Sequence, residues 1–105
     1  MITFADFQKV DMKTGKVKSA EGIEGSDKLI KMEIDVGSEV RQIVSGIVDV
    51  YSPEQLVGMN VVVVMNLEPK KLHGVLSQGM ILAADGEKPI ILTPERDVPP
   101  GTPVR

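Results

Sequence analysis

Residues 52–58, SPEQLVG, read as a short helix with its start and stop signals in place. Ser52 is an N-cap residue, Pro53 suits the first helical position, and Gln55 stands where a capping-box partner belongs. Gly58 ends the segment with a residue free to adopt left-handed backbone. What decides the fold is the setting of this helix. Strand patterns lie on both sides of it, and the 105 residues contain no run of long amphipathic helices.

On the N-terminal side, residues 30–36 alternate without error: Ile30, Met32, Ile34 and Val36 share one face, and Lys31, Glu33 and Asp35 the other. A turn at Gly37 leads to a further strand over residues 40–48. Before them, MKTGKVKSA at residues 12–20 reads as a strand with Lys16 and Lys18 on one face and Gly15, Val17 and Ser19 on the other, bent or bulged at Gly15. Thr3 and Asp6 cap a short N-terminal helix expected to run to about Val10.

On the C-terminal side comes an apolar strand over residues 61–67, then a polar loop. Strands follow near residues 80–84 and 89–93, separated by a turn at Asp85 and Gly86. The tail from Pro94 holds Pro99, Pro100 and Pro103 and excludes regular helix. Three strands, a short helix and further strands make an all-β chain. The order is that of an OB-fold, a five-stranded Greek-key barrel with its helix between strands three and four, here with a short N-terminal helix and an irregular C-terminal extension. Alternating βαβ units would need several long helices. Residues 1–105 are expected to form one domain.

Composition narrows the function. No apolar run is long enough to span a bilayer, and the start, MITFADFQKVDMK, lacks the basic and apolar regions of a signal peptide, so the expected location is the cytoplasm. The chain has no cysteine and one histidine, which argues against disulfides, thiolate chemistry and a structural zinc site; neither metal nor cofactor is expected. The net charge of −3 hides a local excess of positive charge. Between Asn60 and Ala84 the only charged residues are Glu68, Lys70 and Lys71.

That basic segment contains the candidate site, NLEPKKLHGVLSQGM at residues 66–80. It offers an amide in Asn66, cations in Lys70 and Lys71, the hydroxyl and amide of Ser77 and Gln78, and a Met80 able to pack in the core or against a base. Lys28, Lys31 and Arg41 extend the cationic set, as phosphate contacts or as solvated surface charges. Ser77 and His73 lie four residues apart, but no strand-turn-helix elbow surrounds the serine, and no catalytic residue is assigned. Gly74 and Gly79 match neither phosphate-binding glycine motif. The only aromatic residues are Phe4, Phe7 and Tyr51, too few to stack successive bases of a single strand. Recognition of a folded RNA by shape and backbone fits better.

The same residues resemble the tRNA-binding domain family, found at the C-terminus of methionyl-tRNA synthetases, in stand-alone tRNA-binding proteins and in auxiliary proteins of multisynthetase complexes. The resemblance runs through DFQKVDMKTGKV (6–17), SDKLIKMEIDVG (26–37), RQIVSGI (41–47), SPEQLVG (52–58) and NLEPKKLHGVLSQGMILAA (66–84). The family has the Asn-Leu start, basic residues, a glycine and the Ser-x-Gly-Met ending met here by Ser77, Gly79 and Met80. Glu68 stands where the family often has a basic or neutral residue, and Leu76 where it is commonly polar.

The resemblance implies a noncatalytic OB-fold homodimer, joined partly through its terminal segments, that binds folded tRNA for an aminoacyl-tRNA synthetase. It looks like a separate beta subunit of the methionyl enzyme or a stand-alone homologue, with the catalytic subunit as a partner. By position, Asn66, Lys70, Lys71, Ser77, Gln78 and Met80 form the implied tRNA contact set, extended by Lys28 and Arg41. A dimeric relative associated with chaperone and export activity implies the alternative, a peptide binder using Val75, Leu76 and Met80.

Overall fold

The two helices form where their caps place them. In α1 (Phe4–Phe7) the Asp6 N–H donates to Thr3 Oγ1 and the Thr3 N–H to the Asp6 carboxylate; in α2 (Pro53–Leu56) Ser52 and Gln55 exchange the same pair of bonds. Gly58, at φ +93°, turns the chain out of α2. The first helix is shorter than expected. After Phe7, the Lys9 and Val10 N–H groups bond three residues back, to Asp6 and Phe7, so a tight turn replaces the expected extension to Val10.

The computed structural model describes residues 1–105. It is mostly β, with β1 (Met12–Gly22), β2 (Ile30–Asp35) and β3 (Val40–Ser45) before α2. After it come β4 (Asn60–Val64), β5 (Lys70–Leu72), β6 (Val75–Ser77), β7 (Met80–Ile81), β8 (Ala83–Asp85), β9 (Pro89–Ile91) and β10 (Pro103–Val104). The main sheet runs β3-β2-β1-β4-β7, antiparallel throughout, and curls into a nearly closed barrel with α2 between the third and fourth strands, as the sequence predicts. No helix is long and apolar enough to cross a membrane.

Alternation in β2 is as read: Ile30, Met32, Ile34 and Val36 are fully buried and meet Val17, Ile43, Leu56, Val61 and Val63 in one apolar core. In β1 the reading needs correction. The register shift falls between Val17 and Ser19 rather than at Gly15, so Ser19 turns outward and Ala20 packs on the core in its place. Gly15 serves close approach instead, since a Cβ there would sit 2.5 Å from Ile34 Cγ2 and 3.2 Å from the Asp35 carbonyl oxygen.

The strand expected near residues 80–84 is split at Leu82 into β7 and β8, and β3, β4 and β9 stop earlier than expected, β9 at Ile91. β3 ends at Ser45 because the chain turns through Gly46 and the Val48 N–H donates to the Lys28 carbonyl. β4 ends at Val64 because the Met65 N–H donates to the Asp11 carbonyl. The C-terminal extension is tied down: Thr14 Oγ1 donates to the Pro99 carbonyl and accepts from the Thr102 N–H, and β10 pairs with the start of β1. Gly15→Ala is expected to lower the unfolding free energy by about 1–3 kcal/mol through overpacking against Ile34. A lower urea midpoint at unchanged m value checks this.

Candidate functional site

The segment read as a loop between residues 66 and 80 contains a β-hairpin. Lys70–Leu72 pairs with Val75–Ser77 across a two-residue turn at His73 and Gly74, whose φ angles of 53° and 79° are both positive. Two positive φ angles mark the turn that matches strand twist, and a histidine followed by glycine was the local signal for it. The hairpin separates the two lysines: adjacent in one strand, they point to opposite faces. Lys70 shares a face with Leu72 and opposes Ser77, while Lys71 opposes Leu76.

The hairpin closes the barrel against β3, and it does so largely with side chains. The buried Val44 N–H donates to Ser77 Oγ at 3.0 Å, and that hydroxyl donates to the Gly79 carbonyl. The Gln42 N–H donates to Gln78 Oε1, Gln42 Nε2 donates to the Leu76 carbonyl, and the Gln78 N–H donates to the Gln42 carbonyl. Arg41 adds a clamp from its guanidinium to the Met65 and Gln78 carbonyls, at 2.5 and 3.2 Å, and pairs with Glu39. Gly79, at φ +141°, passes so near β4 that a Cβ would lie 2.9 Å from the Val64 carbonyl oxygen.

Asn66 fixes the other end of the segment. Its Oδ1 accepts from the Asp11 N–H at 2.8 Å and its Nδ2 donates to the Lys9 carbonyl at 2.6 Å, tying β4 to the stretch before β1. Of the predicted set, Asn66, Arg41, Ser77 and Gln78 therefore have polar atoms engaged within the chain. Lys28, Lys70, Lys71 and Met80 are exposed, and the three lysines enter none of the chain's ion pairs. Lys31 differs: it donates to Glu21 at 2.8 Å, which holds the Glu21 carboxyl below its usual range and the Lys31 ammonium above its own.

Leu67 is shared by two cavities that run along the seam. One, of about 250 Å³, lies by Arg41, Met65 and Gln78; the other, of about 570 Å³, lies by Val44, Gly46, Leu72 and Met80. Sharing Leu67, the two cavities make a groove beside residues 41–46. Met80 and Leu67 stand in it about half exposed, at 47% and 46%. Lys28 belongs to the same end of β3, since the side chain of its neighbour Leu29 approaches Gly46. His73 lies instead against Gly25 in the β1–β2 connection, while the Ser77 hydroxyl is committed to Val44 and Gly79, so the two do not pair. Tyr51 packs against the core and ties β9 to it by accepting the Ile91 N–H through its hydroxyl.

A family model described as "Putative tRNA binding domain" matches residues 12–103. The methionine–tRNA ligase of Methanoregula boonei is 54% identical over 105 residues, all of this chain but 16% of that protein. Among solved structures, a MetRS related protein from Pyrococcus horikoshii superposes with a TM-score of 0.94 at 43% identity, covering 100% of this chain and 98% of that one. The chaperone CsaA from Bacillus anthracis superposes with a TM-score of 0.92 at 32% identity, covering 100% and 99%.

Ser77→Ala is expected to destabilise the fold by about 1–3 kcal/mol, because it leaves the buried Val44 N–H without an acceptor. Met80→Ala, at an exposed position, is expected to stay within about 0.5 kcal/mol of the parent. Urea unfolding of both variants separates residues that build the seam from residues that face outward.

Proposed function

The chain belongs to the tRNA-binding domain family, and from that membership we propose that it binds folded tRNA without catalysis and holds it for an aminoacyl-tRNA synthetase, methionyl-tRNA synthetase first. The observation that carries this reading is the groove along the seam, with Lys70 on its wall and Lys28 and Lys71 exposed, none of the three having an acidic partner in the chain. Free ammonium groups attract phosphates and release counterions, and a groove tied in place by side-chain bonds to β3 suits recognition of a folded shape. Within the contact set, Lys28, Lys70, Lys71 and Met80 reach the RNA, while Arg41, Asn66, Ser77 and Gln78 hold the surface in shape. Residues 1–105 act as one domain. The likeness to methionine–tRNA ligases covers about one sixth of their length, so this domain supplies tRNA retention and leaves aminoacylation to a catalytic part.

The working form proposed is a cytoplasmic homodimer joined through its terminal segments. Met1, Ile2, Phe4, Phe7 and Val10 are exposed apolar residues, and Phe4, Phe7, Met12 and Val104 border a cavity of about 360 Å³. An exposed apolar patch of this kind is an interface candidate. A dimer doubles the cationic surface and lets two modest sites act on one RNA.

The second reading, a chaperone-like peptide binder, draws on the similarity to CsaA and on the exposed Leu67, Leu76 and Met80. Competition between tRNA and an unfolded polypeptide at physiological salt separates the two. The Lys70→Ala, Lys71→Ala double variant is expected to weaken tRNA binding and to make the salt slope shallower by about 1 per lysine. An unchanged slope in filter binding would rule out this face. Light scattering is expected to give twice the mass of the chain, and Phe4→Asp to shift it toward the monomer.

A further inference from the structure

The larger cavity on the seam contains a charge that phosphate binding does not explain. Its wall is apolar, with Leu67, Leu72 and Met80, yet Glu68 lies on it beside Lys70. Glu68 forms neither an ion pair nor a hydrogen bond within the chain. A carboxylate on a surface meant only for phosphates would repel them, so its place calls for a ligand group that donates hydrogen bonds.

Resting on the RNA-binding reading above, we propose that this cavity is a guanine-selective base subsite, with Glu68 as the residue that determines its specificity. An ionised carboxylate only accepts hydrogen bonds, and it accepts best from two parallel donors. Guanine offers that pair on its Watson–Crick edge, N1–H beside the N2 amine. Adenine and cytosine set a single amine beside an unprotonated ring nitrogen, and uracil sets its one N–H between two carbonyls, so each turns an acceptor toward the carboxylate. Unstacked bases of folded RNA are read on this edge.

The surroundings suit a base. The volume of about 570 Å³ lies within the usual range for small-ligand sites. Aliphatic walls and the Met80 thioether are apt partners for the face of a heteroaromatic ring. Lys70 lines the same cavity and supplies a cation for the phosphate of the same nucleotide. Pro69 restricts the Glu68 backbone to extended conformations, which limits how far this stretch of the cavity wall can rearrange.

The test uses fluorescence anisotropy with labelled uridine pentanucleotides whose central base is guanine, inosine, adenine or cytosine, alongside bulk tRNA. The wild-type protein is expected to bind the guanine pentamer about tenfold more tightly than the adenine one. Inosine, which lacks the N2 amine, should fall between them. E68Q should erase the preference at an exposed position that does not disturb folding. Gly46→Leu, where a Cβ would meet only Leu29 Cδ2 at 3.9 Å, should erase it by filling the cavity.

Equal binding of the four pentamers, no binding of the guanine pentamer at millimolar concentration, or a preference that survives in E68Q would overturn the subsite. Binding of an arginine-bearing peptide that E68Q abolishes, with no pentamer binding, would overturn it in favour of a guanidinium ligand. If wild-type protein retains bulk tRNA and shows no base preference, only the subsite fails. If it binds no tRNA, the parent reading fails as well.

Discussion

The structure depends on how the free edge of β3 is satisfied. β3 is the last strand of the main sheet path, and its outward N–H and C=O groups would otherwise be an open template for pairing. A complete partner strand would close the barrel with backbone alone. Here the closing segment supplies Ser77 Oγ, Gln78 Oε1 and the Leu76 and Gln78 backbone, while Gln42 and Arg41 reach back from β3. Every buried side-chain polar atom finds a partner, as a stable interior requires.

Closing the barrel in this way has a functional consequence. Side chains used as strand partners fix the spacing between β3 and residues 76–78, and Arg41 ties β3 to Met65, so the groove beside them is formed before any ligand arrives. Preformed shape lowers the ordering cost of binding. Residues that tie the segment down and residues left free are interleaved within residues 66–80: Asn66 bonded to Asp11 and Lys9, Lys70 exposed, Ser77 buried and bonded to Val44, Met80 half exposed. Loss of RNA binding after a change at Ser77 or Asn66 would therefore reflect a displaced surface as much as a missing contact.

Much of the fold was legible in the residue order because it rests on local rules. Period-two alternation placed Ile30, Met32 and Ile34 inside, and the caps at Thr3 and Ser52 appear as read. The misreadings share one cause. The bulge near Lys18, the early ends of β3 and β4, and the close approach at Gly15 are set by partner strands that a linear reading does not see. The hairpin over residues 70–77 was legible in principle, through His73 and Gly74, but its strands are only three residues long and carry almost no periodic signal.

By itself the sequence determined a β chain with one short helix between its third and fourth strands, an apolar set for a single core, and a cationic segment at residues 66–80. Tertiary structure alone decided which polar groups in that segment are free. Asn66 meets Asp11 from 55 residues away, Ser77 meets Val44 from 33, and Gln78 meets Gln42 from 36. Pattern along a chain encodes which face a side chain takes, because that follows from the geometry of its own backbone. It does not encode which distant backbone group that side chain will satisfy, because that follows from how the strands come together.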